Sequence, residues 1–146
     1  MKAMKKILYI IALLFSFSMT ALAQLNIRHT ELFGRTLATV RYGTCTLNES
    51  HDNLYYLIIP SDNEFDNPGL FFLGKDHASA LRTMADIVDL YDTLERTMSV
   101  NDALMDKVYL KKRGSSILFK FEHDLGKRWI TKKEANIFLK ALQEMD

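Results

Sequence analysis

From Leu37 onward the apolar residues keep two different rhythms, and each change of rhythm marks a new element. Leu37 to Tyr42 is rich in β-branched and aromatic residues and lies between Gly34 and Gly43, so residues 25–47 read as extended, with one or two strands. Asn48–Asn53 is a run of turn-forming polar residues. The next six, Leu54-Tyr55-Tyr56-Leu57-Ile58-Ile59, are apolar without a break until Pro60, which reads as a strand buried on both faces or central in its sheet. After a second turn, Ser61 to Gly69, the run Leu70–Leu73 pairs most simply with it as an antiparallel neighbour.

At Asp76 the period lengthens. Asp76 is placed to cap a helix whose apolar positions Leu81, Met84, Val88, Tyr91 and Leu94 recur at three- and four-residue spacing, leaving Arg82, Asp86, Asp89 and Glu95 for the other side. Residues 99–106 read as a linker. Val108–Leu110 then predicts a strand and Lys111–Ser115 a tight basic turn. Ile117, Phe119 and Phe121 alternate with Leu118, Lys120 and Glu122, as in a strand with one buried face. Thr131 followed by Glu134 has the spacing of a capping box, and Ala135, Phe138, Leu139, Leu142 and Met145 form the stripe of a last helix.

Residues 54–96 and 107–145 thus each read strand, turn, strand, helix, a ββα-ββα pseudo-repeat in element order with negligible identity. The expected fold is α+β: one antiparallel sheet of about five to six strands with both helices packed on one face. The opposite face must then meet solvent, a lid or a partner.

Ahead of these elements, Lys2, Lys5 and Lys6 precede an apolar block, Ile7–Phe15, and the small residues Ala21 and Ala23 follow. That order predicts a secretory signal peptide over residues 1–23, cleaved between Ala23 and Gln24, and a single domain over 24–146 that is secreted or periplasmic. The block is about half the 20 or so apolar residues that a membrane span needs, so no stable membrane insertion is expected after cleavage. Cys45, the one cysteine, is too far from the cleavage point to carry a lipid and has no internal disulfide partner.

The leader removes three lysines and leaves 16 basic against 18 acidic residues. No global charge argument for nucleic acid survives. The balance is uneven, however: residues 24–106 carry 6 basic and 13 acidic side chains, residues 107–146 carry 10 and 5. Lys111, Lys112 and Arg113 at the expected turn, with Lys127, Arg128, Lys132 and Lys133 around the start of the last helix, form the candidate binding patch for an anionic macromolecule or an acidic protein of the cell envelope.

Other constellations carry less. Ser50-His51-Asp52 contains the residue types of a hydrolase triad, but neighbours in an extended chain point apart, whereas a triad converges through space. Asp62, Glu64 and Asp66 begin a calcium-loop pattern that fails at Asn67 and Leu73, where it needs a turn glycine and a bidentate acid. The four histidines lack the paired spacing of zinc ligands. No cofactor or metal is expected. The reading is a non-catalytic exported binding protein, the alternative a small secreted hydrolase with a site assembled from distant segments.

Overall fold

The computed structural model, which describes residues 34–122 and 126–145, runs four strands and a helix and then again four strands and a helix. The first group is β1 (Arg35–Val40), β2 (Cys45–Glu49), β3 (Tyr55–Ile59), β4 (Gly69–Gly74) and α1 (His77–Thr93). The second is β5 (Met98–Asn101), β6 (Lys107–Arg113), β7 (Ser116–Phe121), β8 (Trp129–Thr131) and α2 (Lys132–Gln143). Each set of strands is an antiparallel meander in sequence order, so the architecture is α+β. Residues 1–23, expected to be a signal peptide, the expected cleavage point and the extended reading of 25–33 lie outside the described residues.

Two expectations are corrected here. There is not one sheet of five to six strands but two sheets of four: β1 and β2 answer to the one or two strands expected over 25–47, and β5 and β8 are the strands added to the second ββα unit. The physical reason for the split lies at β4. Its Phe72 N–H donates to Asp102 Oδ2 at 3.3 Å and its carbonyl accepts from Ala103 N–H at 2.9 Å, so the loop after β5 occupies the edge where a fifth strand would pair. At the other end of β4, Phe121 and the stem of Arg128 lie where a side chain on Gly69 would stand, which lets the second sheet cross close to the β4 backbone.

The core lies between the sheets and helices. Leu57, Phe71, Met84, Leu110, Phe119 and Phe138 belong to one buried cluster that draws on both sheets and both helices. Phe71 and Phe119 meet edge to face, with centroids 5.3 Å apart at 76°. Each large side chain closed into it contributes about 1.5–3 kcal/mol by leaving water. Tyr56, Ile58 and Phe72 form a smaller cluster on the other face of the first sheet, which explains why β3 is apolar without alternation.

Local signals end the helices as expected. Asp76 accepts from Ser79 N–H at 2.7 Å, and Thr131 and Glu134 close a full capping box. On α1 the buried positions are Ala80, Met84, Ile87 and Tyr91, with Leu81 and Val88 half-buried, so the stripe is turned slightly from the expected one. The helices pack against each other, and His77 Nε2 lies 2.6 Å from the carbonyl of Leu142. Among the described residues no helix is long and apolar enough to cross a membrane.

Candidate binding face

Alternation along β6 and β7 decides what the second sheet shows to solvent. Val108, Leu110, Ile117 and Phe119 turn into the core, so Lys107, Tyr109 and Lys111 on β6 and Leu118 and Lys120 on β7 share the opposite face. Registers place Tyr109 opposite Lys120, Lys111 opposite Leu118, and Leu118 opposite Trp129 of β8. Arg113 pairs with Ser116 across the two-residue turn Gly114-Ser115, where Gly114 has φ 61°, the glycine-first pattern of a type II′ hairpin. The expected turn was therefore too long: Lys111, Lys112 and Arg113 are strand residues, and their side chains alternate between faces.

Three shallow depressions lie along this face. Lys107, Tyr109 and Lys120 border one of about 240 Å³, with Glu122 at its rim. A second, about 370 Å³, is lined by Thr97, Tyr109, Lys111, Leu118 and Lys120. The third, about 300 Å³, lies between Arg113, Ser116, Leu118, Lys127 and Trp129. Neighbouring depressions share Tyr109 and Lys120, or Leu118, so they form a continuous track. Lys107, Lys111, Arg113, Lys120 and Lys127 are exposed, and among the described residues none is ion-paired with a carboxylate. Exposed cations that share one sheet face repel their neighbours, and a polyanion would relieve that repulsion.

The floor of the track is held from behind. Trp129 lies under the guanidinium of Arg41, whose carbon is 4.8 Å from the ring centroid, and its carbonyl accepts from Arg41 Nη2 at 2.5 Å. Arg41 in turn binds both oxygens of Glu134, at 2.8 and 2.7 Å. Lys107 Nζ sits 5.9 Å from the Tyr109 centroid.

The residues of the candidate patch part company. Lys111, Arg113 and Lys127 join the track, while Lys112 is exposed but belongs to the alternate positions of β6. Hairpin turn and helix start do come together, because Lys132 N–H donates to the Ser115 carbonyl at 3.0 Å. Lys132 is spent on Asp92 at 3.0 Å, and Lys133 is exposed on α2. Arg128 is the correction: it is 3 % exposed, pairs with Asp66 at 2.9 Å and donates to the Asn67 carbonyl, so it clamps the β3–β4 loop and takes no part in a surface patch. Lys107, Tyr109, Leu118 and Lys120 were not read as site residues. For Lys107 and Tyr109 the signal was present in the every-second-residue spacing Lys107, Tyr109, Lys111, Arg113, hidden by treating Lys111–Arg113 as a turn.

The remaining constellations have structural work. Ser50 Oγ accepts from Asp52 and Leu54 N–H at 3.3 and 3.0 Å and closes the β2–β3 turn. Asp62 accepts from Lys127 N–H at 2.6 Å, and Asp66 from Gly126 N–H at 3.0 Å, which fastens the would-be calcium loop to the second sheet. A cleft of about 410 Å³ between the end of β4, α1 and Asn101–Ala103 contains one buried acid, Asp102. Burial pushes its carboxyl above the ordinary range against the pull of three backbone N–H groups, from Asp106, Phe72 and Leu104, so its oxygens are already engaged. Cys45 is fully buried and its thiol is pushed up to about 12, chiefly by burial, with Arg41 pulling the other way. Because the thiolate is the reactive form, alkylation by iodoacetamide at pH 8 should be on the order of a thousandfold slower in the folded protein than in urea. Equal rates in a mass-spectrometric time course would show the thiol to be accessible. Compared with known protein families, curated proteins and solved structures, the chain matches none.

Proposed function

We propose that this protein is a non-catalytic binder that holds an anionic macromolecule against the solvent face of its second sheet, outside the cytoplasm and after removal of residues 1–23. The reading rests on one observation: five exposed cations, Lys107, Lys111, Arg113, Lys120 and Lys127, none of them ion-paired among the described residues, surround the apolar surface of Tyr109, Leu118 and Trp129 on one sheet face. Such a face attracts polyanions over the screening distance and offers apolar area once they arrive. No nucleophile, base and orienting group converge on it, and a flat, shallow track suits an extended polymer better than a small substrate.

Heparin serves as a generic polyanion for the test. Retention of the purified protein at 0.1 M salt should be lost near 1 M, as the screening length falls from about 10 Å to about 3 Å. The triple variant Lys111→Glu, Arg113→Glu, Lys120→Glu should not be retained at either salt level, while Lys112→Glu behaves nearly as the parent. Far-UV circular dichroism should be unchanged in both, since all four side chains are exposed. Retention of the triple variant like the parent would overturn the reading.

A further inference from the structure

Resting on that reading, we infer that the track is built for an acidic polysaccharide, with each of its three depressions taking one carboxylate-bearing sugar ring. The depressions share one theme. Each has an apolar floor and two cations: Tyr109 with Lys107 and Lys120, Tyr109 and Leu118 with Lys111 and Lys120, Leu118 and Trp129 with Arg113 and Lys127; the first also carries Glu122 at its rim, which makes it the least positive of the three. A pyranose ring has an apolar C–H face and a rim of hydroxyls, and an acidic one adds a single charge. The second and third depressions supply matching hydroxyls, Thr97 and Ser116, beside their apolar floor. A repeated site answers a repeated ligand.

Two features separate this ligand from other polyanions. Four of the five cations are lysine, compact point charges that suit separate carboxylates, whereas phosphate chains are favoured by the bidentate fork of arginine, present once as Arg113. The apolar surface is also recessed among the cations: Leu118 and Trp129 are only half-exposed, and Tyr109, the most open of the three, is 40 % exposed and has Lys107 over its ring. A bilayer is gripped by protruding apolar tips, and single-stranded nucleic acid by aromatic faces standing free for base stacking. Trp129 has one ring face taken by Arg41, which makes it a rigid floor. The distance from Tyr109 to Arg113 along β6 is four residue steps, about 13 Å, so the track is long enough for several consecutive units.

The test is a direct binding titration of the purified protein with polygalacturonate and its short oligomers. Fully methyl-esterified polygalacturonate, poly-glutamate, oligothymidylate and vesicles containing phosphatidylglycerol form the comparison arms. Polygalacturonate is expected to bind tightest, and esterification, which removes charge and keeps the rings, to weaken it about tenfold, the equivalent of two or three exposed ion pairs. Affinity should climb from one to three sugar units and level off thereafter. Tyr109→Ala, which changes no charge, should weaken polygalacturonate about tenfold and leave poly-glutamate unaffected. Binding of poly-glutamate, oligothymidylate or the vesicles as tight as polygalacturonate would overturn the polysaccharide assignment and leave the polyanion reading standing. Binding of none of the charged arms would overturn both.

Discussion

Arg128→Glu should cost about 4 kcal/mol or more of folding stability, a large share of the 5–15 kcal/mol typical of a domain, while Lys111→Glu and Arg113→Glu each stay within about 0.5 kcal/mol. The contrast follows from burial. Arg128 is 3 % exposed, its guanidinium pairs with Asp66 at 2.9 Å and lies 5.7 Å from the Phe121 ring, and its stem fills the space above Gly69. Reversing its charge sets a second carboxylate beside Asp66 in a site that water scarcely reaches. Asp66 also receives Gly126 N–H, and the adjoining Asp62 and Lys127 exchange bonds in both directions, so the whole fastening of the β3–β4 loop to the second sheet is strained at once. Arg128→Met keeps the apolar stem and should cost less, about 1–3 kcal/mol, mainly by leaving Asp66 without this counter-ion. Urea unfolding of the three single variants and Arg128→Met measures the difference. A loss under about 1 kcal/mol for Arg128→Glu would show that the β3–β4 loop is not docked through this residue.

That contrast also marks where sequence reasoning reached and where it stopped. Elements with strong local chemistry were legible: the unbroken apolar run of β3, the Asp76 cap, the Thr131 and Glu134 box, and the alternation of β7 all stand in the structure. β5 and β8 were not, because they are only four and three residues long, and in β5 Val100 is the one position not exposed, which leaves no alternation to read. The division into two sheets was out of reach for another reason. It depends on Asp102 bonding to Phe72 across thirty positions of sequence, and the same residue looks like any polar turn former when read locally. Within the candidate patch, charge density was legible and burial was not. Arg128 stands next to Lys127 in sequence, yet Lys127 is exposed and Arg128 is enclosed, since adjacent residues in extended chain face opposite ways. The half-and-half charge asymmetry is partly spent inside the fold, where Arg128–Asp66 and Lys132–Asp92 join the basic half to the acidic one and Arg41–Glu134 joins them in the opposite sense, while Lys107, Lys111, Arg113 and Lys120 lie exposed on the second sheet.

Glu134→Ala is expected to be the most damaging change at the back of the track, at about 2–4 kcal/mol near pH 7. Glu134 does two things at once. It closes the capping box of α2 through Thr131 N–H at 2.9 Å, and it neutralises Arg41, which sits in the β1–β2 turn with φ 53° and whose guanidinium also donates to the Trp129 carbonyl. Burial works to raise the Glu134 carboxyl, but the hydrogen bonds and charge of Arg41, with those of Thr131, outweigh it and hold the group below its ordinary 4.5. A carboxyl depressed in the folded state gives stability that is complete above the unfolded value and is lost as the pH falls through the folded one. The gap between parent and Glu134→Gln should therefore be full at pH 7 and shrink between about pH 5 and pH 2. A double-mutant cycle with Arg41→Ala should give a coupling of about 1–3 kcal/mol at pH 7. Coupling below about 0.5 kcal/mol, or a gap that does not change with pH, would mean that the pair is only a surface contact. Because Arg41 also covers one face of Trp129, Glu134→Ala should loosen that floor and weaken polyanion binding although it removes no cation from the track; a variant that still folds at low temperature but binds like the parent would separate the clamp from the site.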